Sequence, residues 1–389
     1  MRTKHTLRVG DAADTGLPDE SVNLVVTSPP YPMIEMWDSL FATRDEGVAD
    51  ALDSGDGDAA FEAMHEQLDA VWAEVERVLA PGGIACVNVG DATRSLDGSF
   101  QQYSNHARVL TALSECGLTP LPDAIWRKPT NRLTKFMGSG TLPPNAYVTL
   151  EHEYVLVVRK GDSRSFPPGD ERRYESAFFW EERNRWFSDL WEFAGTDQQL
   201  DAGAGARERS AAFPVELPLR LIRMYSVYGD TVFDPFTGTG TTTLAAMLAG
   251  RGSVGYDLDA DLVAAFEDRL DGIESRSIAE VSRRLDAHRS FVADRDETPG
   301  HDAEYYDFPV VTKQERNIRL YAVSSVTRSP DDADSELGAN RAGDDGEDRA
   351  FTVEHEPVDT SAEGVDVPPA AGTGDASDST AASDPQTTD

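Results

Sequence analysis

A serine, two prolines and a tyrosine in a row, Ser28-Pro29-Pro30-Tyr31, follow an apolar, β-branched run at residues 21–27 (SVNLVVT). At the end of a buried strand such a tetrapeptide offers two acceptors, the Ser28 hydroxyl and the Pro29 carbonyl, and a flat aromatic face at Tyr31. The two prolines restrict the backbone, so the carbonyl points in a fixed direction. Acceptors converging in this way suit an exocyclic amino group. Its lone pair must be drawn out of conjugation with its ring before it can attack a carbon. The tyrosine ring suits a base swung out of its stack. Ser28 is also placed to help remove the amino proton, directly or through water.

About 200 residues later comes Phe233-Asp234-Pro235-Phe236-Thr237-Gly238-Thr239-Gly240-Thr241-Thr242, which reads as strand, glycine turn and helix start. Glycines there let the backbone approach a ligand and adopt positive φ. No lysine follows the second glycine, so a phosphate-binding P-loop is excluded. Asp257 closes the next apolar run 17 residues after Gly240, where an acid bonds ribose hydroxyls in nucleoside-binding sheets, although a helix cap is an alternative role for it. A phosphate-free nucleoside such as S-adenosylmethionine fits this loop better than ATP or NAD. The two cysteines show no metal-ligand spacing, and neither Cys86 nor Cys116 follows a proline as a carbon-methylating nucleophile would; no metal is expected.

The elements that must hold these motifs alternate. Strands are predicted at Leu7–Val9, Ser21–Thr27, Ile84–Val89, Ala124–Trp126, Tyr154–Val158, Thr231–Phe233 and Ser253–Tyr256. Helical spacing runs from Phe61 to Leu79, stopped by Pro81-Gly82-Gly83, and recurs near 104–116, at Leu217–Val227, at Thr241–Ala249 capped by Gly250, at 260–271 and at 277–292. Residues 38–60 read as loop or weakly formed helix, 160–212 as an irregular, arginine-rich and aromatic stretch, and everything beyond about 328 as disordered acidic tail. The fold class is α/β, a doubly wound, Rossmann-like parallel sheet, with both motifs at carboxyl ends of strands, where such sheets bind ligands.

In motif content and order the chain resembles the permuted, beta-class S-adenosylmethionine-dependent DNA amino-methyltransferases. The resemblance covers about 1–270 and includes Trp126-Arg127-Lys128, Glu153-Tyr154-Val155-Leu156 and Phe213-Pro214. It implies a catalytic group of Ser28, Pro29, Pro30 and Tyr31. The cofactor group it implies is Asp11, Phe213, Asp234, Pro235, Phe236, Gly238, Gly240, Thr241 and Asp257. Asp234 would lie near the methionine amino group, Asp11 at the adenine end and Phe213 at the methionine end. The His-Pro-Ala usual before that Phe-Pro is Ser210-Ala211-Ala212 here. Serine in the first place of the catalytic motif accompanies cytosine N4 methylation more often than adenine N6 methylation, and the archaeal N4-cytosine enzymes acting on CTAG are the nearest likeness. Adenine N6 methylation, RNA methylation and a non-catalytic DNA-binding role are the competing readings. An accompanying restriction endonuclease and an orphan role are both open.

On this basis residues 1–125 form the catalytic half, 126–212 the target-recognition region and DNA face, 213–295 the cofactor half, 296–328 a peripheral extension and 329–389 the tail. Charge agrees with the second of these. The chain carries 35 basic against 70 acidic residues, a net of −35, and only Lys4, Lys128, Lys135, Lys160 and Lys313 are lysines. The last 59 residues account for −15, so the body is acidic too, which suits a surface kept hydrated in high salt. Residues 125–185 are the exception at +3, and a double-stranded DNA partner is expected there. The expected contacts are Arg127, Lys128, Arg132, Lys135, Arg172, Arg173, Arg183 and Arg185, with Asn131, Tyr147, Trp180 and Trp186 beside them. No stretch of 18 apolar residues and no apolar leader are present, so a cytoplasmic location is expected.

Overall fold

The computed structural model of the 389-residue chain describes residues 1–128, 137–194, 213–329 and 348–359. In chain order the first half holds β1 (Arg2–Val9), β2 (Val22–Thr27), α1 (Asp38–Arg44), α2 (Glu46–Ser54), α3 (Gly57–Val78), β3 (Leu79–Val89), β4 (Ala92–Leu96), β5 (Ser99–Tyr103), α4 (Asn105–Glu115), β6 (Leu118–Pro120) and β7 (Ala124–Arg127). Then follow β8 (Met137–Gly138), β9 (Ala146–Tyr147), β10 (His152–Lys160), α5 (Glu171–Glu175), α6 (Trp180–Trp186) and β11 (Leu190–Glu192). The remainder is α7 (Glu216–Tyr225), β12 (Thr231–Asp234), α8 (Thr241–Ala249), β13 (Gly252–Asp257), α9 (Ala260–Ala264), α10 (Ile273–Ala293), β14 (His301–Asp302), β15 (Pro309–Val310), β16 (Tyr321–Arg328) and β17 (Arg349–Pro357).

One sheet runs β11-β7-β10-β3-β2-β12-β13-β1-β17-β16, with β6 on β10. Its centre, β3-β2-β12-β13-β1, is parallel throughout. Period-two alternation sorts its side chains between two cores. Val25, Ala85 and Val87 face α3 and α4, with Met64, Trp72 and Val75. Leu24, Val26 and Cys86 face α7 and α8, with Leu217, Ile222 and Leu244. Every residue of α8 is buried, which explains why its sequence is threonine, alanine, leucine and methionine with no charge.

The centre of the sheet holds the switch point. From β2 the chain crosses over through α1–α3 to β3 on one side; from β12 it crosses through α8 to β13 on the other. β2 and β12 are themselves neighbours, paired Leu24 with Val232 and Val25 with Phe233. Their following loops therefore part and leave a crevice at the carboxyl edge, which is where sheets of this kind bind ligands.

Three expectations change. Of the two readings of residues 38–60, loop or weakly formed helix, the helical one holds and the loop one falls: Asp45 and Asp56 cap α2 and α3, accepting from the Gly47 and Ala59 N–H groups. Residues 349–357, inside the expected tail, form a strand antiparallel to both β1 and β16. Its Phe351, Val353 and His355 are buried, and Thr3 joins His355 to His5 at 2.9 and 2.8 Å. Residues 330–347 and 360–389 lie outside the described residues. The third change concerns the extension at 296–328, which is no appendage. Tyr306, Phe308, Val310, Ile318 and Leu320 build a third core with Phe179 of the arginine-rich stretch and Val281 and Leu285 of α10.

Behind that core Arg284 meets Glu182 through two parallel bonds of 2.6 and 2.8 Å, both side chains almost fully buried. Removing one partner strands a buried charge, which costs about 3–5 kcal/mol. Arg284→Ala should lower unfolding stability in denaturant by about that much, while Glu182→Leu with Arg284→Met should recover most of it. A single variant as stable as the parent would contradict this.

Candidate active site

The crevice is a cavity of about 530 Å³, within the range of small-molecule sites. Its floor is the glycine loop. The Gly10 N–H donates to the Asp257 carbonyl at 2.9 Å and the Thr237 N–H to the Tyr256 carbonyl at 2.8 Å, so the ends of β1 and β13 are tied together and the loop is fastened to them. Asp257 accepts from the Gly238 N–H at 2.8 Å and the Asp259 N–H at 2.9 Å, with burial raising its pKa. The helix cap is instead Asp259, which accepts from the Asp261 N–H. A carboxylate oxygen can accept more than one bond, so Asp257 keeps capacity for a ligand hydroxyl.

Asp234 ends β12 and is 3% exposed. It accepts from the Thr27 hydroxyl at 2.6 Å and from the Phe236 N–H at 3.1 Å, and no cation bonds it among the described residues. Burial pushes its pKa up to about 6, against those hydrogen bonds and with the help of the Asp257 charge. A buried carboxylate held this way is suited to a ligand cation. The Thr237 hydroxyl, also buried in this wall, has no partner among the described residues.

Asp11, Phe213, Asp234, Pro235, Phe236, Gly238, Thr241 and Asp257 all line the cavity, together with Ser28, Pro29, Pro30 and Tyr31. Gly240 does not line it. Its φ is +77°, and a Cβ there would sit 2.3 Å from the Phe266 ring, so this glycine serves packing beneath α8 rather than ligand approach. One whole wall was absent from the sequence expectations: Trp37, Leu40, Phe41 and Arg44 of α1 and the turn before it, with Gln67 and Val71 of α3. The spacing of 37, 40, 41 and 44 is helical and could have revealed it. Arg44 reaches Asp11 at 2.6 Å, joining this wall to the end of the cavity that Asp11 lines.

At the mouth, Ser28 Oγ and Tyr31 Oη are 2.9 Å apart. Asn88 Nδ2 donates to Tyr31 Oη at 3.1 Å and to Glu153 Oε2 at 2.5 Å, and Lys128 contacts Glu153 Oε1. Burial and the Glu153 charge raise the Tyr31 pKa far above its ordinary value, so its hydroxyl stays protonated. The sequence places Asn88 in a stretch shared with the resembled family, Val87-Asn88-Val89-Gly90-Asp91, but gives it no role, and it places Lys128 on the DNA face.

The basic residues of 125–185 divide between two ends of the sheet. Arg127 and Lys128 stand at the carboxyl edge, Arg127 paired with Glu192 at 2.7 Å. Arg173 and Arg183 line a different cavity of about 670 Å³ with Asn23, Gly82 and Ile84, at the amino ends of β2 and β3. Arg172 approaches Gly229, just before β12 begins, and Arg185 is exposed on α6 with Arg183. The expectation of one basic face is therefore corrected. β10 carries the chain from the carboxyl edge, where Tyr154 pairs with Val89, to the amino edge, where Arg159 pairs with Ile84. Charge summed along that stretch mixes two surfaces about a strand's length apart. Trp186 is 1% exposed and sits in the core, not on a DNA face. Asn131, Arg132 and Lys135 lie outside the described residues. Tyr147 is exposed and stacks on Phe100, ring centres 4.9 Å apart.

A parallel switch-point crevice with a glycine loop on one side and an acceptor motif on the other defines a Rossmann-like methyltransferase. The chain belongs to the N6/N4 DNA methylase family, whose sequence model matches residues 22–268. It is 49% identical over 326 residues to the Type II methyltransferase M.MthZI of Methanothermobacter thermautotrophicus, covering 82% of this chain and 91% of that protein. To M.MjaI of Methanocaldococcus jannaschii it is 46% identical over 294 residues, 72% of this chain and 94% of the other. The fold matches TTHA0409 of Thermus thermophilus, solved in complex with S-adenosyl-L-methionine, with a TM-score of 0.53 and 32% identity, covering 68% of this chain and 92% of that one. An alignment of 326 residues also outruns the expected limit near residue 270, so the third core belongs to the shared sequence.

Asp234 gives a stability test. Its folded pKa of about 6 is above the ordinary carboxyl value, so the native state holds the proton more tightly than the unfolded chain. Its contribution is favourable at low pH and is lost as pH rises towards and through 6. Asp234→Asn, which keeps an acceptor for Thr27 and Phe236, should stabilise the ligand-free protein by about 1–3 kcal/mol near neutral pH and by nothing near pH ~4. Unfolding at both pH values checks this; equal or lower stability of the variant at neutral pH would contradict it.

Proposed function

We propose that this DNA methyltransferase transfers a methyl group from S-adenosylmethionine to the exocyclic N4 of cytosine in a short duplex site, with CTAG the sequence that the resemblance implies. The observation that carries the reading is the placing of Ser28, Pro29 and Tyr31 on the rim of the same cavity whose floor is Asp234 and the glycine loop. Serine rather than aspartate in the first place of the motif supports cytosine over adenine.

The residues fit the cofactor. Asp234 would hold the methionine amino group, Asp257 would take the ribose, and Asp11 with the α1 wall would enclose the base. When bound, the cofactor supplies an electrophilic methyl carbon on a sulfonium, a good leaving group. The protein's own work is positioning. The Ser28 hydroxyl and Pro29 carbonyl accept from the amino group and turn its lone pair away from the ring, while Tyr31 stacks on the flipped base. Burial of the Tyr31 hydroxyl keeps it neutral, so no negative charge competes for the amino hydrogens.

Duplex DNA is expected to lie across the carboxyl edge. Arg127 and Lys128 end and follow β7 at that edge, and the exposed Leu142, Tyr147 and Val148 precede β10, which begins there. Arg172, Arg173 and Arg183 are too far from the mouth to hold the same base pairs.

Methylated duplex digested to nucleosides should yield N4-methylcytosine as the one new species by mass spectrometry. N6-methyladenine alone would overturn the choice of base. Ser28→Ala and Tyr31→Ala should each slow transfer by about a hundredfold or more with cofactor binding retained, as loss of one preorganised polar group does elsewhere. Unchanged rates in both would remove the catalytic assignment.

A further inference from the structure

Tyr31 stands between prolines, and Pro29, Pro30 and Pro32 carry no backbone N–H. The turn is therefore short of the donors that ordinarily hold a loop in shape. It is held from outside instead, through Asn105, the first residue of α4 and fully buried. Resting on the proposed amino methylation, we propose that Asn105, oriented by His65, is a positioning residue for methyl transfer, clamping the two backbone segments that enclose Tyr31 so that its ring and the acceptors beside it meet the flipped base in one fixed geometry.

The bonds fix one orientation of the clamp. Asn105 Nδ2 donates to the Pro32 carbonyl at 3.1 Å and to the Gly90 carbonyl at 3.0 Å. Carbonyls only accept, so the amide nitrogen must face them and the amide oxygen must face away. That oxygen lies 3.0 Å from His65 Nε2, which therefore carries the ring proton and donates. Burial lowers the His65 pKa to about 4, so the ring is neutral near neutral pH. Its bare Nδ1 has no partner among the described residues. The Phe61 ring meets the imidazole edge-on, centres 4.5 Å apart, and helps to hold its plane.

Each clamped carbonyl bears on Tyr31. Pro32 follows it in the chain, and Gly90 lies against its ring, where a Cβ would stand 3.0 Å from Cε2. The next residue, Met33, has a φ of +67°, rare for a residue with a side chain. Its N–H reaches the Met64 sulfur, a weak acceptor, at 3.4 Å. Backbone of this kind persists only where its surroundings over-determine it. The start of α4 is itself tied to this edge, because Asp91 accepts from the His106 N–H at 3.2 Å. So α3 through Met64 and His65, α4 through Asn105 and the end of β3 through Gly90 converge on the turn that presents Tyr31. Neither Asn105 nor His65 lines the cavity, so both act through that turn.

The test uses the full-length protein with saturating S-adenosylmethionine and a duplex it methylates, in single turnover. Asn105→Leu keeps the bulk and removes the donors. It should slow transfer by about ten- to a hundredfold, the size that a small misplacement of reacting groups produces, with cofactor affinity changed less than about threefold. In a Tyr31→Ala background the same substitution should cost less than about threefold more, because the group it positions is gone. His65→Leu should slow transfer in the same direction, and His65→Gln, which returns a donor to the Nε2 position, should restore it. An Asn105→Leu protein that melts lower yet transfers at the parental rate would overturn the proposal, leaving Asn105 a structural residue. So would a loss that multiplies undiminished with that of Tyr31→Ala. Should Asn105→Leu fail to fold, the His65 pair decides alone: a parental rate in His65→Leu, or a His65→Gln as slow as His65→Leu, would overturn the clamp. A parent that produces N6-methyladenine would overturn the cytosine reading alone, since the same variants then report the clamp on an adenine amino group.

Discussion

The pairing of β2 with β12 is the constraint on which the site depends. These strands lie about 200 residues apart in sequence, are parallel neighbours, and send the chain away in opposite directions. The bond from the Thr27 hydroxyl to Asp234 ties their ends together. One strand ends in the acceptor motif and the other in the glycine loop, so this single adjacency brings the proposed amino-group and cofactor sites to one cavity. A slip of one residue in that register would turn the two ends to opposite faces of the sheet.

The electrostatics of the crevice follow from its burial. Asp234 sits where ionisation is disfavoured, a strain that a bound cation relieves, so the ligand-free site is less stable than its packing alone would allow. The mouth is different in kind. There a neutral tyrosine separates the serine from a carboxylate that is paired with a lysine. The rest of the molecule is strongly acidic, and the arginine at the carboxyl edge is already engaged, Arg127 with Glu192 and Glu151. On the proposed placing of the duplex, DNA competes with carboxylates for Arg127 and Lys128.

Both chemical motifs were legible because each is local. Ser28-Pro29-Pro30-Tyr31 and Asp234–Gly240 announce their turns through proline and glycine, and the apolar strands before them are buried on both faces, which gives continuous runs. The helix at Thr241–Ala249 and the strand at Gly252–Asp257 were equally plain. What escaped was non-local. The α1 wall was masked by the aspartates around it, some of which serve as helix caps. The strand at 349–357 lies in an acidic stretch, and only the alternation Phe351, Val353, His355 betrays it. Arg172, Arg173 and Arg183 looked like a DNA face because charge was summed along the chain, whereas β10 carries that chain across the sheet to its far edge. Gly240 looked like a ligand contact because its type fits one, but the Phe266 ring above it is invisible in one-dimensional sequence.

A crystal structure of the protein with a non-transferable S-adenosylmethionine analogue and a duplex containing its target tests the central claim most directly. The account requires the analogue between Asp234 and the α1 wall, and a flipped cytosine stacked on Tyr31 with its amino group bonded to Ser28 Oγ and the Pro29 carbonyl. A target base left in the helix, or an analogue seated in the arginine-lined cavity at the amino ends of β2 and β3, would contradict it.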